Sequence, residues 1–323
     1  MEKHCCPVCG SPVGQDACPV CGWTEGLANV SWQLQPGTLL RGQFVTGRVL
    51  GQGYYGITYL AWDRKQERTV AIKEFFPLSE VDRNAARGAN VRLISADAGE
   101  KFEVSRNCFL RDAMALAELS QVPGIVRVYD SFQENGTAYM VMEYVRGSSL
   151  GQYIRSAGGR LGAEETLRIL KPILLSMDAV HQHGILHLDI SPDNIILDPA
   201  SGARLLNFCV KRGLDERILY RDGFHALELY QRHKQPIGPW SDKYSLCATI
   251  YFCLTGQMPP NVVSRVMGEA QPDWEHIPGL TDDQRRALQK GMSVAAKDRY
   301  PSVGELFREL FKESAPYIPV SLP

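Results

Sequence analysis

A glycine-punctuated stretch in the first third of the chain constrains the fold most. Phe44-Val45-Thr46-Gly47-Arg48-Val49-Leu50 alternates, Gly51-Gln52-Gly53-Tyr54-Tyr55-Gly56 turns the chain, and Ile57 to Trp62 resumes as a strand. Alternation on both sides of a glycine turn predicts an antiparallel pair. After a polar turn, Thr69-Val70-Ala71-Ile72-Lys73-Glu74-Phe75-Phe76 supplies a third strand. A Gly-x-Gly-x-x-Gly triplet between two strands argues against a Rossmann dinucleotide site, whose glycines open a helix.

The pattern then changes period. Residues 77 to 100 are rich in Asp, Asn, Gly and Ala and read as an irregular insertion. From Lys101 to Leu119 the spacing of Phe109, Asp112, Leu116 and Leu119 predicts a helix with a carboxylate on its inward face. Ile125 to Phe132 and Thr137 to Val145 flank Glu134-Asn135-Gly136, a hairpin signal. Beyond Gly147 the chain is mostly helical: Glu164 to His183, ended by Gly184, and again Ser241 to Leu254, with short strands near Ile195-Ile196-Leu197 and Arg204-Leu205-Leu206. A strand-rich half followed by a helical half predicts an α+β, two-lobed architecture with a ligand in the cleft between the lobes.

The motifs fall in one order: the glycine turn, Val70-Ala71-Ile72-Lys73, Met142-Glu143-Tyr144, His187-Leu188-Asp189-Ile190-Ser191-Pro192-Asp193-Asn194-Ile195, Leu206-Asn207-Phe208-Cys209, and Gly238-Pro239-Trp240-Ser241-Asp242-Lys243-Tyr244-Ser245-Leu246. In this the chain resembles a bacterial, eukaryotic-type serine/threonine protein kinase over residues 39 to 313. The resemblance implies a small β-rich lobe (39–145) and a large helical lobe (146–313). It implies that Gly51, Gly53 and Gly56 form a flap over ATP phosphates, that Lys73 holds the α and β phosphates, and that Asp112 fixes Lys73. It further implies Met142 as gatekeeper, Glu143 and Val145 as the adenine hinge, and Ala71 and Ile196 as the apolar walls. Asp189 takes the position of the general base, and Asn194 and Asn207 the positions of the metal ligands. Leu116, Val128, His187 and Phe208 would form the spine, Asp242 would brace the catalytic loop, and Glu228 would pair with Arg299.

Several residues depart from the family pattern. Asn207 stands where an Asp would ligate Mg²⁺, and a neutral amide offers a hard cation one usable carbonyl oxygen. Asp112 is one methylene shorter than the usual Glu. Cys209 replaces a loop glycine, and Leu188 replaces an Arg that would pair with a phosphorylated activation loop. Ser191 stands where many kinases carry a phosphate-binding Lys. Phosphoryl transfer depends on charge neutralisation and positioning more than on proton removal, so a surviving base without its metal partner predicts little or no catalysis. His181, His183 and His187 look like a metal cluster, but His181 and His183, two apart at a helix end, point in different directions.

The sequence repeats itself only in Cys-Pro-Val-Cys-Gly, at Cys6 and again at Cys18. Two C-x2-C pairs at this spacing suit a closed tetrahedral zinc site of Cys6, Cys9, Cys18 and Cys21, and so short a segment would take its folding energy from the metal. His4 and Cys5 have poorer spacing. The segment resembles a zinc ribbon (1–25), followed by a linker (26–38); a tail (314–323) closes the chain. Of nine cysteines, the remaining four are scattered through apolar sequence, as in a reducing compartment. A formal net charge of −1 gives no reason to expect a nucleic-acid partner. The start of the chain lacks the apolar core of a signal peptide, and Tyr244 to Leu254 is too short to span a bilayer, so a cytoplasmic protein is expected.

The sequence therefore predicts a zinc ribbon joined to a pseudokinase that binds ATP, with Mg²⁺ disfavoured, and that acts as scaffold or regulator of a protein partner it does not identify. The alternative is a weak or atypical Ser/Thr kinase using Lys73, Asp189 and Asn194. A third reading is a kinase-shaped interaction module with an empty cleft.

Overall fold

The computed structural model describes Cys6, Cys18, residues 23–24, 26, 28–84, 88–208, 222–230 and 236–313. These divide into two compact units, one formed by 6–120 and 127–144, the other by 121–126, 145–208 and 222–313.

The first unit is built on a six-stranded antiparallel sheet. Its strands are β1 (Leu39–Leu40), β2 (Phe44–Gly53), β3 (Gly56–Asp63), β4 (Arg68–Phe75), β7 (Val128–Glu134) and β8 (Thr137–Glu143), in the order β1-β2-β3-β4-β8-β7. The glycine turn thus joins two paired strands, as its flanking alternation requires. Gly56 is needed there: a Cβ would lie 2.5 Å from the Glu74 carbonyl oxygen, too close for any side chain. α1 (Gly99–Glu118) packs on the sheet, with Phe102 and Phe109 against Phe75 at ring-centroid distances of 5.4 and 5.7 Å.

Register assigns the two faces of this sheet. Thr58, Leu60, Ala71, Lys73, Met140 and Met142 are cross-strand partners and share one face. Ile57, Tyr59, Ile72, Glu74, Tyr139 and Val141 share the other. On this second face a wholly buried ion pair joins Glu74 to Arg83. Tyr59 and Tyr139 each donate to Glu74 at 2.9 Å, and Arg83 also donates to the carbonyls of Trp32 (3.2 Å) and Ala89 (2.6 Å). Burial, reinforced by the Glu74 carboxylate, pushes both phenols well above the ordinary tyrosine pKa. The stretch expected as an irregular insertion therefore has a job. It makes the short ladder β5 (Val81–Asp82) with β6 (Arg92–Leu93) and delivers Arg83 to the sheet.

The stretch expected as a linker also differs from that reading over 28–38. Leu34 is buried, and its amide donates to Tyr59 Oη at 3.0 Å. Asn29 bonds to the Gly47 carbonyl at 3.1 Å, and Gln33 donates to Gln52 at 2.6 Å. Polar side chains satisfying the backbone of β2 hold this segment down, a contact that hydrophobic periodicity does not register. Cys6 and Cys18 are buried in one cluster with Leu60, flanked by Trp23, Leu50 and Tyr144. Cys9 and Cys21 lie outside the described residues.

The second unit is helical: α2 (Leu150–Ser156), α3 (Ala163–Gln182), α4 (Pro239–Thr255), α5 (Val262–Val266), α6 (Asp282–Gly291) and α7 (Val303–Phe311). A three-stranded sheet of β9 (Ser148–Ser149), β10 (Ile195–Asp198) and β11 (Gly202–Leu205) lies beside them in the order β11-β10-β9. α3 buries Leu167, Leu170, Ile173, Leu174, Met177 and Val180, the positions its period marks. α4 is buried almost throughout and opens on Pro239 at its first position. Gly147 precedes β9 with φ of 155°, where a Cβ would collide with the Leu197 carbonyl. No helix among the described residues is long and apolar enough to cross a membrane.

Candidate active site

In the helical unit, the loop between α3 and β10 is shaped by one buried carboxylate. Asp242, in the first turn of α4, accepts the backbone N–H of His187 (2.8 Å) on Oδ2 and that of Leu188 (2.7 Å) on Oδ1. His181 Nε2 lies 2.9 Å from Oδ2. Burial alone would raise the Asp242 carboxyl, but the hydrogen bond and charge of His181, with His187, outweigh it and hold it below the ordinary range. The clamp matters because Leu188 has φ of 60°, a left-handed conformation that a leucine adopts only under constraint. Asp242 braces the loop as the resemblance implied.

The three histidines separate into three roles. His181 faces Asp242, His183 Nδ1 meets the Ala179 carbonyl at 2.9 Å, and His187 Nε2 meets the Leu206 carbonyl at 2.8 Å. Among the described residues no three metal-binding side chains form a cluster. The His187 ring also packs on Phe208, centroids 4.5 Å apart. Glu228 and Arg299 form the expected buried pair at 2.7 and 3.2 Å, joined by Ser241 Oγ at 2.8 Å.

Asp189, Asn194 and Asn207 are brought together in a chain. Asn194 Nδ2 donates to Asp189 at its carbonyl (2.7 Å) and at Oδ2 (3.0 Å). Asn207 Nδ2 donates to Asn194 Oδ1 at 2.9 Å. The Leu206 amide donates to the Asn194 carbonyl at 2.8 Å, which ties the two loops by their backbones. Asn207 itself has φ of 61°, which asparagine tolerates better than most residues. In this arrangement the two positions that would offer oxygen to a cation offer an N–H and an oxygen to each other. Cys209 lies outside the described residues.

In the β-rich unit, Ala71 and Lys73 project from the same face of β4, with Met142 and Met140 opposite them on β8. Asp112 is half-buried on α1. Gly51 and Gly53 differ from Gly56, for a Cβ at either would meet nothing within 4 Å. Among the described residues no contact requires their smallness. Glu143 ends β8 in this unit, whereas Val145 and Ile196 belong to the helical one.

Sequence reasoning passed over one residue of the loop environment. His225, wholly buried, places Nε2 3.6 Å from Asp189 Oδ1. Its distance of thirty-odd residues from Asp189 in the chain leaves no local spacing to read; only its place three residues before Glu228 could have drawn attention to it.

Comparison with known proteins agrees with this geometry. The family model described as "Protein kinase domain" matches residues 44–299. The "Probable serine/threonine-protein kinase PknB" of Bifidobacterium longum is 27% identical over 88% of this chain and 42% of its own length. The "Serine/threonine-protein kinase PrkC" of Bacillus subtilis is 30% identical over 69% of this chain and 32% of its own. The chain thus spans less than half the length of these relatives. A solved structure, "PpkA-294 apo form", superposes with a TM-score of 0.74 at 29% identity, covering 87% of this chain and all of that one. With its β-rich and helical units, its braced loop and its Glu228–Arg299 pair, the chain belongs to the protein kinase family.

Proposed function

We propose that this chain is a pseudokinase: a kinase-fold domain that binds ATP with little help from Mg²⁺ and regulates a protein partner. The observation that carries the reading is the 2.9 Å hydrogen bond from Asn207 Nδ2 to Asn194 Oδ1. Two carboxylate or carbonyl oxygens at these positions would repel one another and be held by a divalent cation, as in kinases that turn over. Two amides satisfy one another instead. The donor set remaining for Mg²⁺ is neutral and partly committed, which fits a hard dication poorly. Nucleotide binding is supported by Ala71 and Lys73 on one sheet face and by Gly51 and Gly53, whose bareness suits a phosphate lying against the backbone.

Thermal shift tests the reading. ATP is expected to stabilise the protein equally with and without Mg²⁺, and Lys73→Ala to abolish the shift; at a hundredfold excess over Kd the stabilisation is about 2.7 kcal/mol. Transfer of labelled γ-phosphate that Asp189→Ala abolishes would overturn it in favour of the weak Ser/Thr kinase. That second reading draws on the intact hydrogen bonds between Asp189 and Asn194.

The N-terminal segment we read as a zinc ribbon. Cys6 and Cys18 are the equivalent first cysteines of the two repeats, and both are buried against Leu60. Their convergence supports a shared site with Cys9 and Cys21. Metal analysis of protein purified without chelator should give one zinc per chain, and finding none would refute the site.

A further inference from the structure

The tip of the glycine flap is tied to the chain beside it. Gly53 pairs with Gly56 across the turn Tyr54-Tyr55, and Gly56 pairs with Phe75 at the end of β4. Past that end the contact continues: the Phe76 amide donates to the Tyr55 carbonyl at 3.0 Å, and the Leu78 amide to the Tyr54 carbonyl at 3.1 Å. Successive amides of an extended chain point to opposite sides, so those of Phe76 and Leu78 face the turn together and the residue between them faces away. That residue is Pro77, which has no N–H to leave unpaired.

These residues are anchored from behind. Phe76 is buried, and the Arg83 guanidinium lies over its ring, 5.1 Å from the centroid. The same guanidinium grips Glu74, two residues earlier, and Thr137 Oγ1 donates to the Phe75 carbonyl between them. The Pro77 carbonyl accepts from the amides of Glu80 (2.9 Å) and Val81 (3.1 Å), which turns the chain into the insertion. A turn flanked by glycines has little to fix it from within, since each glycine brings backbone freedom that ordering must overcome. Two donors on an anchored neighbouring segment supply that fixation.

We propose that Phe76, Pro77 and Leu78 form a strap that positions the glycine flap for the phosphates of a nucleotide. A flap already ordered loses less freedom when a ligand binds, so the strap favours phosphate-bearing ligands over a bare nucleoside. The ligand in this inference rests on the nucleotide-binding reading above; the strap itself rests on hydrogen bonds within the β-rich unit.

Hydrogen exchange and ligand affinity in the full chain, wild type against Leu78→Pro, test it. Leu78 takes the second position of the turn that the Glu80 amide closes on Pro77, where proline is favoured, so the variant removes one N–H without opposing the local backbone. In nucleotide-free wild type the Phe76 and Leu78 amides should be protected like those of β4, a measurement that needs no variant. In Leu78→Pro the amides of residues 51–56 should exchange about fivefold faster, the worth of one net hydrogen bond. The Kd for ATP should rise by a similar factor, while that for adenosine, which has no phosphate to place, stays as it was. A general loosening of the unit would weaken both ligands alike. Freely exchanging Phe76 and Leu78 amides in wild type, unchanged exchange at 51–56 in the variant, equal shifts for ATP and adenosine, or the same effects in Leu78→Ala, which keeps the amide, would each overturn the proposal. A wild type that binds no nucleotide would overturn the nucleotide reading and the phosphate role with it, with exchange alone still reporting whether the turn is held. A wild type that binds ATP and is unmoved by Leu78→Pro would overturn the strap and leave that reading standing.

Discussion

Replacing Asn207 by Asp is expected to make the stability of the loop depend on a divalent cation. The substitution removes the N–H that Asn194 Oδ1 accepts at 2.9 Å and sets a carboxylate against that oxygen. In the absence of divalent metal the cost is about 1–3 kcal/mol, the penalty for an unsatisfied and repelled polar group, a fall in Tm of several degrees. With Mg²⁺ and ATP the same carboxylate becomes a ligand, and the thermal shift should exceed that of wild type and vanish on chelation. Calorimetry or a dye-based melt with and without Mg²⁺ checks both halves. An Asn207→Asp protein as stable as wild type without metal, or no more responsive to Mg²⁺-ATP, would remove the main support for the metal-poor reading.

The largest loss of stability is expected from the opposite face of the β-rich unit. Arg83→Ala leaves Glu74 as a wholly buried carboxylate that, among the described residues, Tyr59 and Tyr139 still hydrogen-bond. Breaking a buried pair by removing one partner costs about 3–5 kcal/mol, roughly ten degrees in Tm for a unit of this size. Arg83 also donates to the carbonyls of Trp32 and Ala89, so its removal should loosen residues 28–35 and 88–93 first. Hydrogen exchange should report faster amides there before the sheet itself opens. Combining Glu74→Leu with Arg83→Met should recover much of the loss, since apolar residues of similar volume replace buried ion pairs at little cost. A single Arg83→Ala variant within about 1 kcal/mol of wild type would show that the pair is not what holds these segments.

The parts of this molecule legible in the sequence are those that obey a period or a fixed spacing. The strands around Gly51 to Gly56, α1 and α3 announce themselves by alternation and by helical apolar steps, and Asp242, Glu228 and Arg299 by their place in motifs. Asn207 was readable as a change of residue type, but its hydrogen bond to Asn194 was not, because the two lie on separate loops. Glu74 shows why the rest was hidden. It follows Lys73 in a motif, and a glutamate on a strand ordinarily faces water. Only register places it with Tyr59 and Tyr139, and only the insertion, which has no period, brings Arg83. His225 was silent for the same reason: its partner is near in space and far in sequence.

Residues 28–35 carry a practical consequence. The match to the protein kinase family model starts at Phe44, yet Leu34 is as buried as the sheet it covers, and Gln33 and Asn29 hold the backbone and side chains of β2. The boundary recognised by likeness and the boundary at which water is excluded are therefore different places in the chain. A fragment cut at the first would begin with a wound: Tyr59 without the Leu34 amide, Arg83 without the Trp32 carbonyl, and the strand that leads into the glycine flap stripped along one edge. What gives this kinase fold its own identity is contributed in part by residues that no kinase motif contains.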